Sequence, residues 1–454
     1  MYQYKGLEDT IAAIITPVGM GGVGVVRLSG KDSFVILERI FFGRSGASPK
    51  TWKTFSVHHG WVKTASGDVL DEVLVTLMRA PKSYTCEDVI EISGHGGPAA
   101  VRALLELCLV NGARLAQPGE FTKRAFLNGR IDLAQAEAVL DVISARTDAA
   151  LRACERQLKG DLSVELEQLR AQLLTVLADI EAVLNFPEDD TQSLQAERLT
   201  GNIRRVRERL TALLATVQSG RILKEGIKVV ICGKPNVGKS SLLNALLRAP
   251  RAIVTDVAGT TRDVLEEMAN IDGIPVNLVD TAGILTPRDK IEEEAVRRSR
   301  ASVDSADIVL LVLDQSRPLE NTDRDLLALI KNPHTIIVLN KADLPVIVEN
   351  KFDVAAVNVS ALTRSGLDEL RQAMLKMALG AQGFDGRGLV INDMRHAESL
   401  RRADEALARV SAEASLEFAA EDIKAAVNEL DAITGRYVDD DVIEHIFEKF
   451  CIGK

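Results

Sequence analysis

Gly233-Lys234-Pro235-Asn236-Val237-Gly238-Lys239-Ser240 matches the phosphate-loop pattern G-x-x-x-x-G-K-[ST], and Ser241 continues it into a helical stretch. Glycines let backbone N–H groups curl around phosphates, Lys239 can reach the β- and γ-phosphates, and the Ser240 hydroxyl can ligate Mg²⁺. Asp280-Thr281-Ala282-Gly283 follows an apolar strand, Val276–Val279. The Asp280 carboxylate can hold Mg²⁺ through water, and the Gly283 N–H can meet the γ-phosphate. Thr255-Asp256-Val257-Ala258-Gly259-Thr260-Thr261 lies between these motifs, and Thr261 is expected as the second Mg²⁺ ligand. Asn340-Lys341-Ala342-Asp343 then reads the base. Asp343 can accept two hydrogen bonds from guanine N1 and the exocyclic amine, which adenine does not offer, while Ser360-Ala361-Leu362 supplies backbone donors to guanine O6. A buried polar match of this kind discriminates strongly, so the expected substrate is GTP rather than ATP.

Ile284 stands where a Ras-like protein carries its water-orienting glutamine, so hydrolysis needs another arrangement. Asn236 offers a side-chain carbonyl that could bind a monovalent cation, wrapped by carbonyls of the 255–260 segment. A K⁺ there would occupy the place of an arginine finger. The alternative is that Asn236 only stabilises the loop. For the attacking water, Glu292 is the best carboxylate, in the acidic run Ile291-Glu292-Glu293-Glu294. A solvated helix start favoured by the helix dipole explains the same run.

The elements that must hold these residues divide the chain of 454 residues into about three domains. Residues 1–122 mix short β-branched runs (11–16, 23–28, 73–78 and 89–93) with a helical stretch at 99–111, which reads as α+β. Residues 123–222 are poor in glycine and proline, and Leu158, Leu162, Leu166, Leu169, Leu173 and Leu177 recur at helical spacing. A break falls at Asn185-Phe186-Pro187-Glu188-Asp189-Asp190. Residues 223–379 alternate apolar strands and helices, as in a mostly parallel sheet covered on both faces. Residues 380–454 are helical again and are expected to pack with 123–222, with the nucleotide domain inserted between them.

Hydrophobic content of 46% excludes a disordered chain, and no apolar run reaches the length of a membrane span. The apolar stretch after Glu8 and Asp9 lacks the basic flank of a signal peptide. Five scattered cysteines without a C-x-x-C pair suit neither a disulfide framework nor a zinc site, which points to a reducing cytoplasm. The net charge of −10 argues against the whole chain acting as a polyanion binder.

Further motifs make the chain resemble one family over its whole length, the tRNA-modification GTPases MnmE (TrmE). They are Gly21-Gly22-Val23-Gly24-Val25-Val26-Arg27, Tyr84-Thr85-Cys86-Glu87-Asp88-Val89-Ile90-Glu91, Gly94-His95-Gly96-Gly97, Pro118-Gly119-Glu120-Phe121-Thr122, the run from Arg124 to Glu137, and the closing Cys451-Ile452-Gly453-Lys454. The Gly259–Asp263 loop belongs with them. The resemblance implies a K⁺-dependent GTPase that acts with the flavoprotein MnmG. Together they place an aminomethyl or carboxymethylaminomethyl group on C5 of the wobble uridine of certain tRNAs. A tetrahydrofolate derivative, in its 5-formyl or methylene form, supplies the one-carbon unit. The resemblance also implies a homodimer whose GTPase domains pair, contact with tRNA directly or through the partner, and a cytoplasmic location. It assigns K⁺ to Asn236, Thr255, Val257 and Thr260, the general base to Glu292, and folate contacts to Arg27, Glu91, Arg130 and Lys454. A carboxylate such as Glu91 can accept a pterin donor pair bidentately, and Arg or Lys suits the glutamate tail. Some relatives carry Lys where this chain has Arg130, which keeps charge without keeping geometry.

Cys451 reads either as a reactive thiol near the folate or as a small packed residue. His95 reads as a turn or packing residue rather than an acid or base, and Arg262 as a loop anchor. A ribosome-assembly GTPase would share the phosphate loop, but its basic G-x-x-G RNA module is missing here. A membrane scaffold would need an amphipathic basic helix.

Overall fold

A computed structural model describes residues 8–17, 19–44, 46–185, 192–247, 266–280, 301–329, 333–348, 352–380, 388–410 and 415–454. It forms two compact units: Met1–Leu140 with Gln157–Ala171 and Val427–Lys454, and Asp141–Arg156 with Gln172–Ala426.

The first unit is built on a seven-stranded sheet. Its strands are β1 (Ile11–Ile14), β2 (Gly24–Ser29), β3 (Phe41–Gly43), β4 (Ser56–Lys63), β5 (Val69–Met78), β6 (Val89–Gly94) and β7 (Arg114–Leu115), in the order β3-β4-β5-β6-β2-β1-β7. Every pairing is antiparallel except β1 with β7. Alternation sends Val26, Leu28, Ile90 and Ile92 to one face, where α1 (Ser33–Ile40) and α2 (Pro98–Val110) bury them with Phe34, Leu37 and Leu104. The other face carries Arg27 and Glu91, direct register partners on β2 and β6. Over β1 that face is covered by α3 (Glu120–Leu127), whose Phe121 packs on Ile11 and Ala13.

Arg124 anchors α3. Its side chain is fully buried, and its guanidinium reaches Asp9 (2.7 Å), Glu120 (2.9 Å) and Glu87 (3.2 Å). A buried cation is tolerated only when paired and hydrogen-bonded in this way. The chain end docks beside it: Pro118 and Ile452 form an antiparallel bridge, and the Phe121 amide donates to the Lys454 carbonyl at 3.1 Å. Within the same unit, Arg170 pairs with Asp431 at 2.7 Å.

The leucine spacing at 158–177 is that of one face of a helix. It falls at the end of α5 (Asp148–Lys159) and on α6 (Asp161–Asn185), where Leu162, Leu166, Leu169 and Leu173 are buried. α4 (Leu133–Ser144) precedes them.

The second unit holds α7 (Gln192–Leu214), α8 (Val217–Glu225) and a six-stranded sheet. Its strands are β8 (Ile227–Cys232), β9 (Glu266–Ile271), β10 (Ile274–Asp280), β11 (Ile308–Asp314), β12 (Thr335–Asn340) and β13 (Ala356–Val359), in the order β13-β12-β11-β8-β10-β9. All pairings are parallel except β9 with β10. The hydrophobic runs at 308–314 and 335–340 are central strands buried on both faces, as a parallel sheet requires. One face packs on α9 (Lys239–Leu247) and the helix Leu367–Leu379, and the other on the helix Asn321–Leu329. β9 lacks a β-branched run, and its signal lay in the turn. Asp272 and Gly273 both have positive φ (50° and 91°), the Asp-Gly pair of a tight hairpin.

C-terminal helix Met394–Arg409 packs on α7, with Arg207 paired to Asp404 at 2.8 Å. Among the described residues no helix is long and apolar enough to cross a membrane.

Candidate functional site

In the second unit, β8, β10, β12 and β13 run parallel and end at Cys232, Asp280, Asn340 and Val359. Their carboxyl ends therefore share one edge, where loops of open α/β sheets collect ligands. The phosphate loop leaves β8 and enters α9 at Lys239. Asn236 is left-handed there (φ 67°), a conformation Asn tolerates better than most residues. Gly238 has φ 96°, and a Cβ on it would lie 2.3 Å from Asn340 Nδ2. Lys239 Nζ donates back to the Lys234 carbonyl at 3.0 Å, and Lys234 Nζ pairs with Asp323 at 2.6 Å and Glu320 at 3.0 Å.

The Asn340 side chain joins the two halves of the site. It is 2% exposed, its Nδ2 donates to the Val237 carbonyl at 2.8 Å, and its Oδ1 accepts from the Ala361 amide at 3.1 Å. Sequence reasoning put Asn340 among the base-reading residues. Its amide also ties the phosphate loop to the 360–362 loop. Ser360, fully buried, donates its hydroxyl to Asp343 Oδ1 at 2.5 Å and accepts from the Thr363 amide at 3.1 Å. This fixes the Asp343 carboxylate, which keeps further acceptor sites for a base. Lys341 (φ 68°) directs Nζ to Asp314 at 2.6 Å. Burial alone would raise the Asp314 carboxyl, but Lys341 and Ser316 hold it below its ordinary value. Ala342 donates its amide to the Val359 carbonyl at 3.1 Å. The Leu362 side chain is exposed, so only its backbone can serve the base.

Asn236, Val237, Gly238, Lys239, Ser240, Ser241, Asn340, Lys341, Ala342, Asp343, Ser360 and Ala361 therefore gather at one edge of the sheet. Asp280 ends β10 there, though only its backbone is described. Thr255, Asp256, Val257, Ala258, Gly259, Thr260, Thr261, Arg262, Thr281, Ala282, Gly283 and Glu292 lie outside the described residues.

The first unit holds a second cluster. Arg27 Nε and Nη2 both reach Glu91 Oε1, at 2.9 and 2.7 Å. The sequence reading had both side chains facing a ligand. They also pair with each other, because they stand opposite on neighbouring strands. The Arg27 guanidinium carbon also lies 5.6 Å from the Tyr84 ring centroid and 5.5 Å from that of Phe121. Arg130 stands over the same Tyr84 ring at 4.8 Å and donates to the Tyr84 carbonyl at 3.2 Å. The Tyr84 hydroxyl is 2.9 Å from Oγ1 of the fully buried Thr122. Burial raises the Tyr84 phenol despite Thr122, Arg130 and Arg27, so the ring stays neutral. Lys454 is brought to the cluster by its backbone bond to Phe121. Cys451 is exposed on the same closing segment, and its carbonyl accepts from Gly119 at 3.4 Å.

Tyr84, Phe121 and Thr122 are the members that spacing alone missed. Their only sequence signal was that they fall inside the family-like motifs. His95 is exposed and hydrogen-bonds through Nδ1 and its amide to Asp71, whose carboxylate raises the imidazole above its ordinary value.

Two family models match the chain: the MnmE helical domain over residues 133–451 and the GTP-binding protein TrmE N-terminus over 10–130. A tRNA modification GTPase MnmE from Carboxydothermus hydrogenoformans is 44% identical over 465 residues, covering 99% of this chain and 100% of that one. Another of the same description, from Roseiflexus sp. strain RS-1, is 46% identical over 467 residues, covering 98% and 99%. The G domain of the T. maritima FeoB iron transporter is 28% identical over 34% of this chain and 98% of its own, with a TM-score of 0.26 that carries no weight for the fold.

Proposed function

Since the chain belongs to the MnmE family of tRNA modification GTPases, a GTP hydrolase of tRNA modification, we propose that its hydrolysis is K⁺-dependent and serves C5 modification of the wobble uridine, with MnmG as partner. The observation that carries the nucleotide half of this reading is the Asn340 link between the phosphate loop and the 360–362 loop. It holds a phosphate cradle and a guanine reader in one rigid relation.

Ser240 and Thr261 would hold Mg²⁺, with Asp280 acting through water. The all-oxygen set of the Asn236 side chain and the Thr255, Val257 and Thr260 carbonyls suits a hard monovalent cation. Glu292 would orient and deprotonate the attacking water, the task Ile284 cannot perform.

The cluster in the first unit fits a tetrahydrofolate derivative by its donor set. Glu91, oriented by Arg27, offers acceptors to a pterin, Arg130 and Lys454 offer cations to a glutamate tail, and Phe121 offers an apolar wall. When bound, that group supplies the one-carbon unit. Cys451, exposed on the segment that ends at Lys454, would stand at the rim. We further propose the division 1–122, 123–222, 223–379 and 380–454, a cytoplasmic homodimer, and tRNA contact directly or through the partner.

The test is GTP turnover in K⁺ and Na⁺ buffers of equal ionic strength. Strong stimulation by K⁺ is the expected result, and equal rates would overturn the Asn236 cation site. Binding of 5-formyltetrahydrofolate to the purified chain tests the second cluster separately.

A further inference from the structure

We propose that Tyr84 is a positioning residue of the folate site, a neutral ring that sets the directions of Arg27 and Arg130 before any ligand arrives. The inference rests on the folate reading above, and Tyr84 needs no contact with the ligand to act.

Arg130 is exposed, and an exposed arginine samples many rotamers. Here it is caught twice, by the Tyr84 ring 4.8 Å away and by the Tyr84 carbonyl at 3.2 Å. Arg27 lies near the same ring at 5.6 Å and is paired with Glu91. The negative face of an aromatic ring attracts guanidinium, so one side chain can bring two like charges to one place. Glu91 neutralises Arg27, which leaves Arg130, together with Lys454, to offer positive charge to an anionic group.

The ring is itself held firmly. Its hydroxyl meets buried Thr122 at 2.9 Å, and the next residue is pinned by Asn128 Nδ2 donating to the Thr85 carbonyl at 2.7 Å. A guanidinium ordered in advance does not lose its rotamer freedom on binding, which is how preorganisation raises affinity.

The experiment measures 5-formyltetrahydrofolate affinity calorimetrically on the full chain, for wild type, Tyr84→Phe, Tyr84→Met, Arg130→Met and the Tyr84→Met/Arg130→Met double variant. Melting curves are recorded for each. Phe keeps the ring, so affinity should stay within about twofold. Met keeps much of the volume and removes the ring, and affinity should fall about tenfold, or ~1.4 kcal/mol. In the Arg130→Met background the same replacement should cost less, because one of the two arginines through which Tyr84 acts is gone. Additive losses, or a Tyr84→Met protein that binds like wild type, overturn the inference. If Tyr84→Met melts below the assay temperature, Tyr84→Leu replaces it in the same cycle. A wild-type chain that does not bind at all overturns the folate reading instead, and Glu91→Gln serves as that reading's own control.

Discussion

Replacing Asn340 with Ala should damage nucleotide binding by loosening the link between the two loops of the site. The substitution deletes the donor to the Val237 carbonyl and the acceptor for the Ala361 amide, at 2.8 and 3.1 Å. Val237 is 4% exposed, so its carbonyl loses its partner in a nearly dry place, while the Ala361 amide loses its partner in a half-buried one. A buried polar group left unsatisfied costs about 1–3 kcal/mol. Two such groups give roughly 2–6 kcal/mol, and water entering at the mouth of the site draws the result toward the low end. At about 2 kcal/mol the melting of the unit carrying the nucleotide site falls by roughly 4–8 °C. If the same energy is lost from the bound geometry, GTP affinity drops about 30-fold. Melting curves and titration with a fluorescent GTP analogue read both quantities. Asn340→Asp sharpens the test. It keeps an oxygen for the Ala361 amide but turns a carboxylate toward the Val237 carbonyl, so it should be no better than Ala. Wild-type melting and affinity in Asn340→Ala would refute the reasoning.

Arg124→Met leaves the carboxylates of Asp9, Glu87 and Glu120 without their shared buried cation, and the first unit should lose about 3–5 kcal/mol, read by denaturant melting. The same cluster predicts acid sensitivity. The Arg114 hydrogen bond is the largest influence holding Asp9 below its ordinary value. Burial would raise Glu120, but Arg114, the Gln117 amide and Arg124 outweigh it and keep it low. Carboxyls depressed in the folded state contribute stability above their ordinary range and lose it as pH falls through their folded values, so the first unit should weaken below about pH 4. In Arg124→Met this acid-dependent loss should shrink. Gly238→Ala should abolish nucleotide binding, because its Cβ would sit 2.3 Å from Asn340 Nδ2 on a backbone at φ 96°. Retained affinity in a nucleotide titration would show that the loop relaxes at little cost.

Much of the second unit was legible because its signals are local. The strands at 308–314 and 335–340 are buried on both faces and so read as unbroken apolar runs. The first unit was harder. β4 includes His58, His59 and Gly60, which break the apolar alternation. Gly60 is there because a Cβ would lie 2.5 Å from the Phe41 ring on the adjoining strand, a contact visible only once the strands are paired.

The sequence alone determined what chemistry the chain can carry. A phosphate loop works through backbone geometry and a guanine-reading tetrad through its side chains, each over a few consecutive residues, so spacing alone makes both legible. Only the tertiary structure decided which distant side chains meet. Arg27 and Glu91 are 64 residues apart and pair because β2 and β6 adopt one register, since a slip of one residue would turn either side chain to the opposite face. Asn340 joins the two loops, Tyr84 stands beside two arginines, and Arg124 gathers three carboxylates for the same reason. These partnerships follow from sheet order and helix placement, which no local pattern of residue types encodes.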